Sequence, residues 1–240
     1  MSYNDFDTID VFYEITGNLK NLTPLKIGSG DKNEIGSPID SPIIRVPISI
    51  NGTIVMVPYI PASSIKGVFR SEAEILAKKM GYAVIDISSL HGGNKSLEFN
   101  NVIIGIFGGP SLASHIIFYD AYPTDFASVR TFYKTRTAIN RVIGSVQTGA
   151  LVREELIAPG SLFDFKVRIY IDMRDNTDDR VTLLKRLFKN FTNFGFFIGG
   201  GKSVGYGHVR IESAMFSRYK LKDGIYTKVE ENKLETILEG

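Results

Sequence analysis

The segment that most restricts the fold is residues 199–207, which read GGGKSVGYG, so that five of nine positions are glycine. Residues 178–194 before it carry apolar side chains at helical spacing, and residues 208–212 after it form a strand-like run. The chain must therefore pass from a helix through a glycine turn into a strand. Folds that need the reverse order, strand to glycine loop to helix, are excluded at this point.

The glycine loop does not have the form of a nucleotide-binding P-loop, which reads G-x-x-x-x-G-K-[ST] and joins a strand to a following helix. With Gly201, Lys202 and Ser203 in place, the first glycine would fall where Phe196 stands. Two interpretations remain open. The loop is a tight helix-to-strand crossing, or the backbone of Gly200, Gly201 and Ser203 cradles a phosphate together with Lys202.

The rest of the chain predicts an α+β fold. Strand-like runs occupy residues 9–15, 54–60, 115–122, 162–171 and 208–212, and helical patterns occupy residues 64–80 and 178–194. This order favours a mostly antiparallel sheet with helices on one face. No Pro- or Ser-rich linker interrupts the sequence, so residues 1–240 are predicted to form a single domain.

The start of the first helix is a candidate anion site. A strand-like run stops at Pro61, and Ser63 or Ser64 is a suitable N-cap for the helix that follows. Lys66 and Arg70 stand four residues apart on one face of that helix. The helix dipole, the free N–H groups and both cations would therefore attract an anion to the same position. An ordinary capped helix is the alternative interpretation.

The net charge of +2 hides an uneven distribution. Both ends of the chain are acidic, which leaves 24 basic and 17 acidic residues in residues 19–219. Residues 126–153 contain no carboxylate. They contain five basic residues, which are Arg130, Lys134, Arg136, Arg141 and Arg153. Arginines can form forked contacts with phosphates, which supply most of the affinity for nucleic acid, whereas a solvated surface is the simpler interpretation.

Several classes of protein are excluded or disfavoured. The chain has no cysteine, which excludes a disulfide scaffold, a Cys-ligated zinc site and thiol catalysis. No apolar stretch approaches the ~20 residues that span a membrane, and the acidic N-terminus has no secretory leader, so we expect a cytoplasmic protein. The histidines, His91, His115 and His208, lie far apart and without metal-binding spacing.

Residues 31–42 read DKNEIGSPIDSP and are predicted to form a loop. Asp31, Glu34 and Asp40 place carboxylates in it. A carboxylate there could hold a divalent metal ion or act in proton transfer, or Asp40 could simply form a turn with the Ser-Pro that follows it.

Several of these segments occur together and in a fixed order. They are residues 23–30 (TPLKIGSG), 60–67 (IPASSIKG), 106–109 (IFGG) and 199–207, joined by 137–144 (TAINRVIG) and 157–163 (IAPGSLF). This set resembles the RAMP superfamily of CRISPR-associated RNA-binding proteins, over nearly the whole chain. Within this superfamily, the chain most resembles the backbone subunit of type III effector complexes.

The resemblance implies a modified ferredoxin-like, RRM-like core with a projecting β-hairpin, the thumb, at about residues 140–160. It implies guide RNA, target RNA, other copies of the chain and other effector subunits as partners, and no membrane. The implied RNA-binding residues are Lys26, Ser63, Ser64, Lys66, Arg70, Arg136, Arg141, Gly200, Gly201, Lys202 and Ser203. Lys26 departs from the family pattern, in which histidine is frequent, and Ala62 stands where glycine is usual.

For Asp40 the resemblance implies catalysis, since residues 39–44 (IDSPII) match the core of the family's cleavage loop. The implied reaction is attack of a ribose 2′-OH on the adjacent phosphate, assisted by Mg²⁺ or Mn²⁺ near Asp40. Two alternatives stay open. The chain could be a catalytically silent RNA-binding subunit of the same complex. It could also be a standalone repeat-processing ribonuclease that uses His91, His115 or His208 and no metal.

Overall fold

The computed structural model describes residues 10–28, 40–86, 98–139, 144 and 146–239. The strands in this part of the chain are β1 (Val11–Asn21), β2 (Arg45–Ile50), β3 (Thr53–Pro58), β4 (Ile116–Phe118), β5 (Thr131–Ile139), β6 (Val146–Ile157), β7 (Leu162–Ile169), β8 (Phe196–Phe197), β9 (His208–Lys222) and β10 (Ile225–Lys233). The helices are α1 (Ala62–Lys79), α2 (Val102–Phe107), α3 (Asp179–Asn193) and α4 (Leu234–Glu239). A short 3-10 helix covers Lys202–Val204.

The central sheet has the strand order β10-β9-β1-β7-β4, and β8 pairs with β9 at its side. Each described pair in this sheet is antiparallel. β1 lies in the middle, where Ile15 is paired with Val167 of β7 and with Phe216 of β9. The β2–β3 and β5–β6 hairpins form separate two-stranded sheets. The sheet is therefore continuous, and two hairpins are added to it.

The helices pack on one face of this sheet. Phe69 of α1 lies at the centre of the core, with its ring centroid 4.6 Å from that of Phe191 in α3 and 6.1 Å from that of Phe165 in β7. The opposite face carries charged and aromatic side chains: Glu14 of β1 accepts hydrogen bonds from Arg168 of β7, and the Phe12 ring stacks on Tyr219. Because side chains alternate along a strand, one face is buried under helices and the other carries these charged and aromatic groups.

The antiparallel sheet with helices on one face is confirmed, and so are most of the predicted element positions. α3 matches the predicted helix, with Asp178 as N-cap. α1 ends at Lys79, and Gly81 follows with a φ of 86°. The strand predicted at residues 115–122 is shorter, because only Ile116–Phe118 forms it.

One strand is much longer than its sequence pattern indicates. The pattern predicts an end at Glu212, whereas β9 continues to Lys222. Ser213 has a φ of 54°, and the pairing with β1 shifts register between Thr16 and Asn18. This bulge breaks the two-residue alternation of apolar side chains, so the second half of the strand cannot be recognised from a continuous period.

Candidate nucleic-acid interface

The glycine loop is fastened to the segment that follows β1. Gly207 N donates a hydrogen bond to Pro24 O (2.8 Å), and Gly200 N donates one to Lys26 O (2.8 Å). Gly199 has a φ of 81°, and a Cβ at this position would lie 2.1 Å from Lys26 O. The loop therefore is a tight crossing that needs glycine, and the N–H of Gly200 is already used within the protein.

Lys202 and Ser203 are exposed on the short 3-10 helix at the outer end of this loop. That helix lies between Gly201 and Gly205, which both adopt left-handed backbone conformations. The loop thus presents one cation and one hydroxyl to solvent, as the phosphate-binding interpretation requires.

Glu154 of β6 joins two of the predicted RNA-binding cations. Its side chain is 2% exposed and forms ion pairs with Lys26 Nζ and with Arg136 Nε, the latter at 3.3 Å. Lys26 precedes β2, whereas Arg136 lies on β5. The structure therefore brings together basic residues that are more than a hundred positions apart in sequence.

Tyr206 connects the glycine loop to the same hairpin. Lys134 of β5 places its Nζ 5.1 Å from the centroid of the Tyr206 ring, a cation–π contact. The ring is buried, and a Cβ on Gly201 would lie 2.5 Å from it. Lys26, Arg136 and Lys134 thus surround the junction between the glycine loop and the base of the β5–β6 hairpin.

The hairpin itself begins earlier than the resemblance implies. Its strands pair from Thr131 with Ile157 to Ile139 with Val146. Arg141, which lies between these strands, is outside the described residues. The exposed residues 131–137 of β5 include Lys134 and Arg136. The carboxylate-free stretch noted in the sequence is therefore largely this hairpin.

Asp40 lies against β6, where it contacts Arg153, the residue that precedes Glu154. Asp40 N donates to Arg153 O (3.0 Å), and Arg153 N donates to Asp40 Oδ2 (2.7 Å). Ser41 then forms a parallel bridge with Glu154, and Glu155 N donates to Ser41 O (3.1 Å). The carboxylate is exposed but has a fixed position on the hairpin.

Glu155 holds the continuation of this segment. It accepts hydrogen bonds from Ile43 N (3.2 Å) and from both terminal nitrogens of Arg45, the Nη1 contact measuring 2.9 Å. Burial by itself would raise the pKa of Glu155, but the hydrogen bonds from Arg45 and Ile43 N hold that pKa below its ordinary value. Glu155 is therefore an anchor for residues 41–45.

The start of α1 differs from the predicted arrangement. Pro61 is the N-cap, the helix begins at Ala62, and no side chain of the cap residue closes it, so a cap at Ser63 or Ser64 is wrong. Instead Asp120 Oδ1 accepts a hydrogen bond from Ala62 N (2.7 Å). Proline suits this place because its fixed φ matches the observed −60°. A carboxylate from another segment thus already lies at the helix N-terminus.

Lys66 and Arg70 have different surroundings on α1. Burial, and next the positive charge of Arg70, lower the pKa of Lys66 below its ordinary value. Arg70 donates to Glu74 Oε1 (3.1 Å) and to Gly108 O (3.3 Å). Arg70 is therefore bound to groups away from the helix N-terminus. Of these two predicted cations, Lys66 is the one nearer to that terminus in sequence.

The histidines give little support to a histidine-based site. His208 Nε2 is 2.8 Å from Phe194 O, and its ring stacks on Phe197 at 4.9 Å. His115 is fully buried, and His91 lies outside the described residues. The His208 ring is therefore tied to the end of α3 and not to the glycine loop.

Sequence reasoning missed Glu154, Glu155, Tyr206 and Asp120. Glu154 and Glu155 do carry a signal, since they are the first carboxylates after a basic stretch of 28 residues. Their burial and their partners could not be read from that signal. No helix in the described part of the chain is long and apolar enough to span a membrane.

Comparison with known proteins identifies relatives along most of the chain. A family model described as the RAMP superfamily matches residues 18–210. Relatives named CRISPR system Cms endoribonuclease Csm3 come from Mycobacterium tuberculosis (26% identity over 220 residues, covering 83% of this chain and 86% of the relative), Enterococcus italicus (29% over 206 residues, 82% and 87%) and Streptococcus thermophilus (28% over 221 residues, 83% and 89%).

A solved structure has a similar fold. It is a chain of the cryo-EM structure of the Type III-B Cmr-beta bound to cognate target RNA, with a TM-score of 0.53 and 21% identity. The match covers 85% of this chain and 60% of that chain, so the present chain spans less than two thirds of it.

Proposed function

This chain belongs to the RAMP superfamily, and from that premise we propose that it is a subunit of a type III CRISPR effector complex. In this proposal it binds the guide RNA along its sugar–phosphate backbone and cleaves complementary target RNA. Its partners are the guide, the target, further copies of itself and other effector subunits. The names of the relatives, and the target RNA bound by the complex that contains the structural neighbour, support this proposal.

One observation about β6 carries the proposal. Glu154 gathers the predicted RNA-binding residues Lys26 and Arg136, and the preceding residue, Arg153, holds the predicted catalytic residue Asp40. The residues that we propose for binding and for chemistry therefore contact neighbouring positions of one strand. An RNA backbone bound by these cations would pass beside a positioned carboxylate, which is the arrangement that in-line cleavage needs.

The proposed reaction is attack of a ribose 2′-OH on the adjacent phosphorus. The O2′–P bond forms, the P–O5′ bond breaks, and the leaving oxygen takes a proton from water. Asp40 accepts the proton of the 2′-OH or positions a metal ion. The hairpin and the glycine loop hold the RNA backbone in the geometry of in-line attack.

A divalent ion, Mg²⁺ or Mn²⁺, is part of this proposal. No group of three or more His, Asp or Glu side chains that could hold an ion occurs in the described parts of the chain. Mg²⁺ is often bound by one or two carboxylates and completes its shell with substrate phosphates and water. Asp40 fits such a site, shared with the RNA. When bound, the ion neutralises charge on the phosphoryl group.

The test compares effector complexes assembled with the wild-type chain or with Asp40→Ala. Each complex is given labelled complementary RNA with Mg²⁺, with Mn²⁺ or with EDTA. We expect cleavage at the position that this subunit serves to depend on both Asp40 and the metal ion. If cleavage there persists unchanged with Asp40→Ala, the chain is a structural RNA-binding subunit and not the nuclease.

A further inference from the structure

We propose that Glu154 is a positioning residue for RNA binding, which holds Lys26 and Arg136 together as one preformed basic pair. This inference rests on the proposed RNA-binding function. An acidic side chain among contacts to phosphate needs an explanation, because its charge repels the ligand. The geometry around Glu154 supplies one.

The Glu154 carboxylate cannot act as a binding surface itself. Its side chain is 2% exposed, whereas the side chains of Lys26 and Arg136 are 18% and 43% exposed. A phosphate can therefore reach the two cations but cannot displace the acid between them. Glu154 remains in place when RNA binds and sets where the cations lie.

The three side chains come from three separate segments. Lys26 follows β1 and carries the carbonyl that accepts from Gly200 in the glycine loop, Arg136 lies on β5, and Glu154 lies on β6. Their contacts therefore fix the glycine loop relative to the hairpin. A bound RNA that touches both would meet basic groups already at a set spacing.

Preorganisation explains why such an acid is useful. Lysine and arginine side chains are long, and ordering them on binding costs conformational entropy. When Glu154 orders them during folding, that cost no longer falls on RNA binding. The local charge is reduced from two to one positive unit in exchange. The protein gains a fixed position for each contact. We therefore expect it to select RNA of the matching geometry.

The experiment measures RNA binding by the full-length chain over a range of salt concentrations. The probes are a labelled guide RNA and a labelled unrelated single-stranded RNA of equal length. Glu154→Gln removes the negative charge, so we expect the slope of log K against log salt to steepen by about 0.7, the contribution of one charge on a single strand. We also expect the preference for guide over unrelated RNA to fall.

Two further variants separate position from charge. Glu154→Asp keeps the charge but shortens the side chain, so we expect an unchanged salt slope and weaker guide binding. Glu155→Gln is the matched control, because Glu155 is equally buried on the same strand but holds Arg45 and Ile43. Its slope should equal that of the wild type. Circular dichroism confirms that each variant is folded.

The outcomes distinguish this inference from the function on which it rests. If Lys26→Ala and Arg136→Ala leave the salt slope unchanged, the proposed RNA contacts of these residues are wrong. If those variants flatten the slope while Glu154→Gln and Glu154→Asp both bind like the wild type, the positioning role is overturned and the RNA-binding function stands.

Discussion

Asp40 and Arg153 are joined by a pair of hydrogen bonds, in which Asp40 N donates to Arg153 O at 3.0 Å and Asp40 Oδ2 accepts from Arg153 N at 2.7 Å. The two residues are 113 positions apart in sequence. The carboxylate that we propose for cleavage is therefore held in position by the hairpin strand.

The first prediction separates chemistry from binding at Asp40. Asp40→Asn keeps an oxygen that accepts from Arg153 N but cannot take up a proton. We expect target cleavage to fall by about 10²-fold or more, as for loss of a general base, with guide affinity unchanged. Single-turnover cleavage and guide titration measure this. Asp40→Ala should add a loss of about 1 kcal/mol in stability. Cleavage at the wild-type rate by Asp40→Asn contradicts the assignment.

The second prediction concerns two predicted phosphate contacts. Lys66→Ala and Arg141→Ala should each weaken guide binding and reduce the salt slope by about 0.7. Lys78→Ala, at the other end of α1, is the control and should leave the slope unchanged. Titrations at several salt concentrations provide the measurement. If either variant has the same salt slope as the wild type, the residue changed in that variant does not contact the RNA backbone.

The third prediction concerns the Tyr206 ring. The hydroxyl of Tyr206 is buried and has no hydrogen-bond partner in the described structure, whereas the ring carries the contact with Lys134. Tyr206→Phe should therefore be neutral or stabilising, by up to about 1 kcal/mol. Tyr206→Leu should cost about 1–2 kcal/mol through lost packing and the lost cation–π contact. Urea unfolding measures both, and equal losses in the two variants would contradict a role for the ring.

The fourth prediction is a pH dependence of stability. The pKa of Glu155 is lowered in the folded protein, so its contribution is complete above the unfolded value of about 4.3 and is lost as the pH falls below it. Glu155→Gln should be destabilised by about 1.5–3 kcal/mol at pH 7, since it loses charged hydrogen bonds with Arg45. The difference from the wild type should shrink as the pH falls below that unfolded value. A constant difference in urea unfolding across this range would rule out the linkage.

The fifth prediction uses two glycines with similar backbone conformations. Gly199 and Gly205 have φ values of 81° and 85°, but only at Gly199 would a Cβ meet another atom, Lys26 O. Gly205→Ala should cost about 1–2 kcal/mol, the penalty for a left-handed alanine. Gly199→Ala should cost more, because the contact between the glycine loop and Lys26 must open. Thermal unfolding that ranks the two variants equally would show that the loop can move away from Lys26.

Local patterns in the sequence predicted a large part of the fold. α3, the end of α1 and the antiparallel sheet follow from spacing that repeats within a few residues, which is a short-range property of the chain. Only residues 208–212 of β9 were predicted as a strand, since the bulge at Ser213 changes the phase of the apolar pattern. The glycine loop and the carboxylate-free basic stretch were also visible without a structure.

The amino-acid sequence alone determined which chemical groups are present: a basic stretch without carboxylates, a glycine loop and a loop that contains Asp40. Only the tertiary structure decided how they combine. Glu154 meets Lys26 across 128 positions, and Asp120 reaches the start of α1 across 58. Such pairings depend on which segments the fold brings together, and at Glu154 the buried carboxylate is stable only beside cations or N–H donors. No local pattern contains that information.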